Sequence, residues 1–271
     1  MGIDVRDYWN FDDPAASERI FRKLIEDGSL TGDETLEVWA QIARTFSLRG
    51  DCERCHQVLN EKWDHAIAAG GRPKASFELE RGRAFRTGKE LDKATPFFEL
   101  AAESEIDDLK VDALHMLAID GDTAESLRKN LVALEFAKTS PSTWAQRWQG
   151  TLFNNMGWSC FAEEKFDEAL VCFENALTER EKYGKVGAIR TSKWCVGRCH
   201  RALGNLDEAF AIQTSLEETD PSQFVYEELG EILLAQGKVD EAKPYFRKTV
   251  EMLEIEVGSD SERIIRLKSL T

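Results

Sequence analysis

Cys52-Glu53-Arg54-Cys55-His56 places two thiols and an imidazole at the spacing at which a c-type haem is attached covalently. That chemistry needs an oxidising compartment. The N-terminus, MGIDVRDYWNFDDP, has neither the basic stretch nor the apolar run of a secretory signal. The packing alternative is therefore preferred, with both cysteines as small apolar residues of a helix interior. Cys195, Cys199 and His200 could bring two sulfurs to one helix face, but no second pair follows to complete a tetrahedral zinc site. The six cysteines are most simply reduced thiols. His56, His65, His115 and His200 show no spacing to a serine or cysteine nucleophile. The acidic run Glu103 to Asp108 suits a solvated helix end better than a pair of acid–base carboxylates. Phosphate loops, nucleophile elbows and zinc-protease motifs are absent. The expectation is a protein that is not an enzyme and holds no cofactor and no metal.

The elements that would position any site follow from a repeat. Three stretches, FNNMGWSCFAEEKFDEALVCFENAL, SKWCVGRCHRALGNLDEAFAIQTSL and VYEELGEILLAQGKVDEAKPYFRKT, share one pattern. A glycine (Gly157, Gly197, Gly230) precedes an alanine (Ala169, Ala209, Ala242) by twelve residues, and apolar residues recur at fixed offsets around both. Two glycines are 40 apart and two are 33 apart, a period that marks stacked helical repeats. Net charge is −15, from 35 basic and 50 acidic side chains. Such a surface repels nucleic acid and anionic membrane. No apolar run approaches the ~18–20 residues of a membrane span. A cytoplasmic protein is expected.

Phe153, Met156, Gly157, Phe166, Ala169, Phe173 and Ala176 carry the pattern most fully. Val196, Gly197, Gly204, Leu206 and Ala209 repeat it, as do Tyr226, Leu229, Gly230, Gly237, Val239, Ala242 and Phe246. These stretches resemble tetratricopeptide repeats, helix–turn–helix units of about 34 residues. The resemblance implies an all-α fold, a right-handed α-solenoid of helix pairs with capping helices. Gly204 and Gly237 would end first helices in a left-handed conformation, and the acids at 207–208 and 240–241 would start second helices. Clear repeats cover 150–256. Divergent ones cover 36–141, framed on Ile42, Ala43, Phe46, Cys55 and Leu59, then Gly82, Phe85, Ala94 and Phe98, then a pair over 109–139. An N-terminal segment 14–32 holds an amphipathic helix over about 14–27 with Ile20, Phe21, Leu24 and Ile25. A C-terminal helix over 259–271 is capped by Ser259-Asp260-Ser261-Glu262 and turns Ile264, Ile265 and Leu267 inward. All of 1–271 is thus expected to form one solenoid.

In this family first helices line a concave binding face. The slots one and four residues after the small residue share a helix face. The first slot holds Arg44, Arg83, His115, Trp158, Arg198 and Glu231, the second Ser47, Arg86, Ala118, Phe161, Arg201 and Leu234. Five of the twelve are arginine, where the chain's 35 basic residues in 271 give an expectation of about 1.5. Asn154, Asn155 and Trp194 join this surface. Arginine suits carboxylate or phosphate, so the resemblance implies a scaffold binding an acidic peptide or protein tail. Alternatively the arginines pair with acids on neighbouring helices. A third reading is a sensor taking a small molecule or signal peptide in the same groove. One sub-class of the family clamps a C-terminal carboxylate with Lys and Asn. Here Asn154, Trp158, Cys195, Phe224 and Glu228 stand in those slots, so that specificity is not implied.

Overall fold

A residue with no side chain recurs where two helices cross, and a large one always faces it. In the computed structural model an added Cβ on Gly82, Gly157 or Gly230 would meet Cε1 of Phe98, Phe173 or Phe246 at 2.5, 2.5 and 2.7 Å. Each phenylalanine follows its glycine by sixteen residues, on the second helix of the same pair. The frame extends to the divergent repeats, where the corresponding residues are Leu59 after Ala43 and Asn130 after Leu114. Gln213 takes the position after Gly197, and all six are buried. Burying a Phe or Leu side chain there stabilises each unit by about 1.5–3 kcal/mol.

The structure describes residues 3–119, 122–257 and 261–271, without the side chains of 255–257. No strand occurs among the described residues, and no helix there is long and apolar enough to cross a membrane. The chain divides into two compact units after Trp148. The first unit contains α1 (Pro14–Glu26), α2 (Gly32–Leu48), α3 (Cys52–Ala69), α4 (Gly71–Thr87), α5 (Leu91–Ala102), α6 (Asp107–Ala118), α7 (Thr123–Thr139) and α8 (Thr143–Gln146). The second contains α9 (Gln149–Ala162), α10 (Phe166–Glu181), α11 (Val186–Ala202), α12 (Leu206–Thr219), α13 (Gln223–Ala235), α14 (Val239–Val257) and α15 (Glu262–Lys268). Within each unit consecutive helices pack as antiparallel pairs, and each pair packs on the next. Each unit is thus a stack of helix pairs, the α-solenoid arrangement.

Seven residues after the crossing position the chain turns in each of the five described copies. Gly50, Lys89, Glu164, Gly204 and Gly237 have φ of 78, 62, 57, 81 and 77°. The position equivalent to them, Gly121, lies outside the described residues. In each turn the next amide donates back to the carbonyl five residues earlier: Asp51 to Phe46, Glu90 to Phe85, Lys165 to Cys160, Asn205 to His200 and Lys238 to Leu233. This is the Schellman closure that satisfies a helix's last carbonyls. Two turns use residues for which this conformation is strained. The acids Asp207-Glu208 and Asp240-Glu241 fall in the first turn of α12 and α14, as expected.

The ends differ in detail from the sequence expectation. α1 stops at Glu26, and Thr31 and Glu34 form a reciprocal capping box that starts α2 at Gly32. Phe21 is buried and Leu24 and Ile25 pack on the first core, but Ile20 is 41% exposed. At the other end Ser261 caps α15 by accepting from the Ile264 amide, with Ile264 and Leu267 buried. Ile265 is 59% exposed because it shares the outward face with Glu262. Ser259 and Asp260 lie outside the described residues.

Candidate functional site

Cys55 is fully buried in the first core, and the His56 ring lies 4.4 Å from that of Phe85. Both side chains are thus packing groups. Burial pushes the Cys55 thiol up, and the Cys195 thiol up to about 12. Among the described residues no group of three His, Cys, Asp or Glu could hold a metal.

The arginines of the first helices follow a rule across repeats. An arginine one residue after the small residue pairs with an acid two residues before the small residue of the next repeat. Arg44 Nη1 lies 3.6 Å from Glu80, Arg83 pairs with Asp112, and Arg198 Nη1 lies 3.0 Å from Glu228. Arg83 also holds Glu80 within its own helix. Arg201 forks onto Glu228, with Nε to Oε2 at 2.8 Å and Nη2 to Oε1 at 3.1 Å. Glu80 and Glu228 are each only 2% exposed. Burial opposes the charge on Arg83 and Arg201, but the carboxylates raise both guanidinium pKa values overall. Arg44 goes the other way, lowered by burial and by the Arg83 charge. The pairing alternative therefore describes Arg44 and Arg83, whose charges are met inside the first unit, and also Arg198 and Arg201, which share Glu228 in the second. In the same unit the His115 ring lies 5.1 Å from the ring of Trp148, and Arg86 is on α4 one turn beyond Arg83.

In the second unit the first helices α9, α11 and α13 carry an aromatic run. Phe161 meets Trp158 at 5.5 Å, Trp158 meets Trp194 at 6.0 Å, and Trp194 meets Phe224 at 6.2 Å between ring centroids. Trp158 also packs on buried Phe173 at 5.2 Å, which fixes its plane. Trp194 is oriented by its indole N–H, which donates to the Phe224 carbonyl at 3.1 Å. The Arg198 guanidinium stands 5.3–5.8 Å from the centroids of Trp158, Phe161 and Trp194. Cation–π attraction of this kind contributes ~0.5–2 kcal/mol. Trp158, Phe161, Trp194, Arg198 and Arg201 are all only partly buried. Asn154, one turn before Trp158, accepts from Arg180 at 3.4 Å and lies 3.8 Å from the Cys195 sulfur. Asn155 occupies on α9 the slot that Glu80, Asp112 and Glu228 occupy elsewhere.

The structure thus brings Asn154, Trp158, Phe161, Trp194, Arg198 and Arg201 together on the second unit. Phe224 and Glu228 stand out in the sequence only as departures from the clamp slots, and Arg180 does not stand out at all. An acid two residues before the crossing position would have pointed to Glu228, since Glu80 and Asp112 hold the same slot before Gly82 and Leu114.

Residues 225–262 match the family model described as tetratricopeptide repeat. No curated protein matches the sequence. Several solved structures share the fold. The apo form of RapI has 15% identity and a TM-score of 0.69, covering 98% of this chain and 77% of its own. Aspartyl phosphate phosphatase F from Bacillus subtilis has 16% identity and a TM-score of 0.62, covering 96% and 74%. NprR in complex with its cognate peptide NprX has 12% identity and a TM-score of 0.56, covering 98% and 86%. The chain thus matches a tetratricopeptide repeat over its last full helix pair and shares the fold of these structures over nearly its whole length.

Proposed function

We propose that the chain is a non-catalytic protein-interaction scaffold whose second unit holds a peptide or protein tail on the α9–α11–α13 face. The observation that carries this reading is the partly exposed run Phe161–Trp158–Trp194–Phe224 with Arg198 at its centre. Trp and Arg are the residues in which binding energy concentrates. Rings held from behind by Phe173 and the Phe224 carbonyl lose little entropy when a ligand covers them.

The face also favours an acidic ligand. Arg198 and Arg201 share the single carboxylate of Glu228, which leaves one positive charge in excess among these three groups. On a chain of net charge −15, such a patch steers acidic segments toward itself. NprR, solved with its cognate peptide, supports peptide capture by this fold and equally a sensor that takes a short signal peptide.

The test is selection of binders from a random octapeptide library on the full chain. Trp158→Ala and Trp194→Ala should each weaken the selected peptides about ten- to a hundredfold, as for interface hot spots. Melting curves check that each variant is folded. Peptides that bind both variants as tightly as the parent chain would place the binding face elsewhere.

A further inference from the structure

Arg180, in the last turn of α10, differs from every arginine of the candidate face. Its Nη1 donates to Ser192 Oγ at 2.7 Å, to the Ala188 carbonyl at 3.2 Å and to Asn154 Oδ1 at 3.4 Å. All three acceptors are neutral. Among the described residues no carboxylate oxygen pairs with it, whereas Arg44, Arg83, Arg198 and Arg201 each have one. The nearby Cys195 thiol cannot serve as counter-ion, since burial pushes it to about 12 and leaves it protonated at neutral pH. Burial lowers the Arg180 pKa, but a guanidinium stays charged in proteins. A partly buried cation without a counter-charge costs stability, and an arriving anion recovers that cost.

The geometry leaves one edge of this guanidinium open. Nη1 serves the protein, while Nε and Nη2 hold no hydrogen bond among the described residues and are not sealed from solvent. Those two N–H groups are parallel, the side-on arrangement that takes both oxygens of a carboxylate. Gly150 makes room for the side chain, because a Cβ there would lie 2.9 Å from Arg180 Cγ and 3.6 Å from Nε. Asn154 and Ser192 stand on α9 and α11, the two helices that carry Trp158 and Trp194.

We infer that the open Nε–Nη2 edge of Arg180, whose Nη1 is held by Asn154 and Ser192, anchors a single carboxylate of the bound peptide, with the rest of the peptide running over Trp158 and Trp194. This rests on the peptide-binding reading above. A carboxylate fits this edge because its two oxygens match the two parallel N–H groups. The carboxylate comes either from the peptide's C-terminus or from an Asp or Glu side chain.

The test uses the tightest octapeptide selected on the full chain. It is synthesised as the free acid, as the C-terminal amide, and with Asp and Glu replaced by Asn and Gln. One of the two changes should weaken binding about ten- to a hundredfold, the loss expected for a charge-assisted hydrogen-bonded pair. Which change does so names the source of the carboxylate. Arg180→Met should cause the same loss with the free acid and little further loss with the weakened peptide. Arg180→Lys, which keeps the charge but not the fork, should fall between, and it carries the test if Arg180→Met does not fold. A peptide that depends on Trp158 and Trp194 but binds the Arg180 variants unchanged overturns this inference alone. Loss on Arg180→Met that is equal for peptides with and without the carboxylate overturns it too. A peptide indifferent to Trp158, Trp194 and Arg180 removes both readings.

Discussion

Replacing Gly157 by alanine sets two effects of known size against each other. In a helix interior alanine is favoured over glycine by ~0.8–1.0 kcal/mol. At Gly157 the new Cβ would lie 2.5, 2.7 and 3.0 Å from Cε1, Cδ1 and Cζ of Phe173, where carbon–carbon contacts normally sit at ~3.5–4.0 Å. The Phe173 ring is fully buried and backed by Trp158, so it has no vacant space to enter. Overpacking of this kind costs ~1–3 kcal/mol, and three close ring atoms place it in the upper part of that range. Gly157→Ala should therefore lose about 1–2 kcal/mol net. Gly187→Ala is the control, because nothing lies within 4 Å of a Cβ there and that change should gain up to ~1 kcal/mol. The ring is the cause, so Gly157→Ala combined with Phe173→Leu should lose about 1 kcal/mol less than the separate changes add up to. Urea unfolding followed by tryptophan fluorescence reads the parent chain and the four variants. If Gly157→Ala stabilises as Gly187→Ala does, the glycine–phenylalanine crossing is not what holds the pair together.

Glu228→Ala strands Arg198 and Arg201. Because both arginines keep 24–35% side-chain exposure and can turn to solvent, the loss should be about 1–3 kcal/mol, below that of a fully buried pair. Adding Arg201→Met should restore part of it, and strictly additive melting temperatures would refute the coupling. Lys89→Gly and Glu164→Gly relieve a left-handed backbone and should each gain a few tenths to ~1 kcal/mol, whereas Gly204→Ala and Gly237→Ala should lose stability. Either pair moving the other way in thermal melts contradicts the turn assignment. A Cys195 thiol at about 12 is ionised to roughly one part in ten thousand at pH 8, so a thiol reagent should label it only after urea is added. Prompt labelling of Cys195 in the folded chain would contradict its burial.

The helix pairs were legible because their cause is local. A residue without a side chain, a left-handed turn seven residues on and an alanine twelve residues on all lie within one unit of sequence. Gly204 and Gly237 announced their turns, but Lys89 and Glu164 did not, since only the frame and not the residue type marks them. The arginine surplus was legible as well, but its use was not. Arg83, Arg198 and Arg201 meet Asp112 and Glu228 at separations of 27–30 residues, on the next first helix. A count by slot sees the cation and not the acid that neutralises it. Arg180 was hidden for a further reason: it belongs to a second helix, and its importance comes from the missing partner rather than from any pattern.

Gln213 is the one position in the second unit where the crossing is not glycine on phenylalanine. Its amide nitrogen donates to the Trp194 carbonyl at 3.2 Å, while its buried Oε1 has no partner. In a stack whose cohesion is a sum of nearest-neighbour terms, opening starts at the smallest term. Among the three crossings within helix pairs of the second unit, the one between α11 and α12 lacks the buried ring and keeps an unsatisfied amide oxygen. Amides of α12 should therefore exchange with solvent sooner than those of α10 and α14, and Gln213→Phe should slow them. A ligand that grips α11 would close this seam, so its binding would register as protection on α12, a helix that carries none of the proposed contact residues.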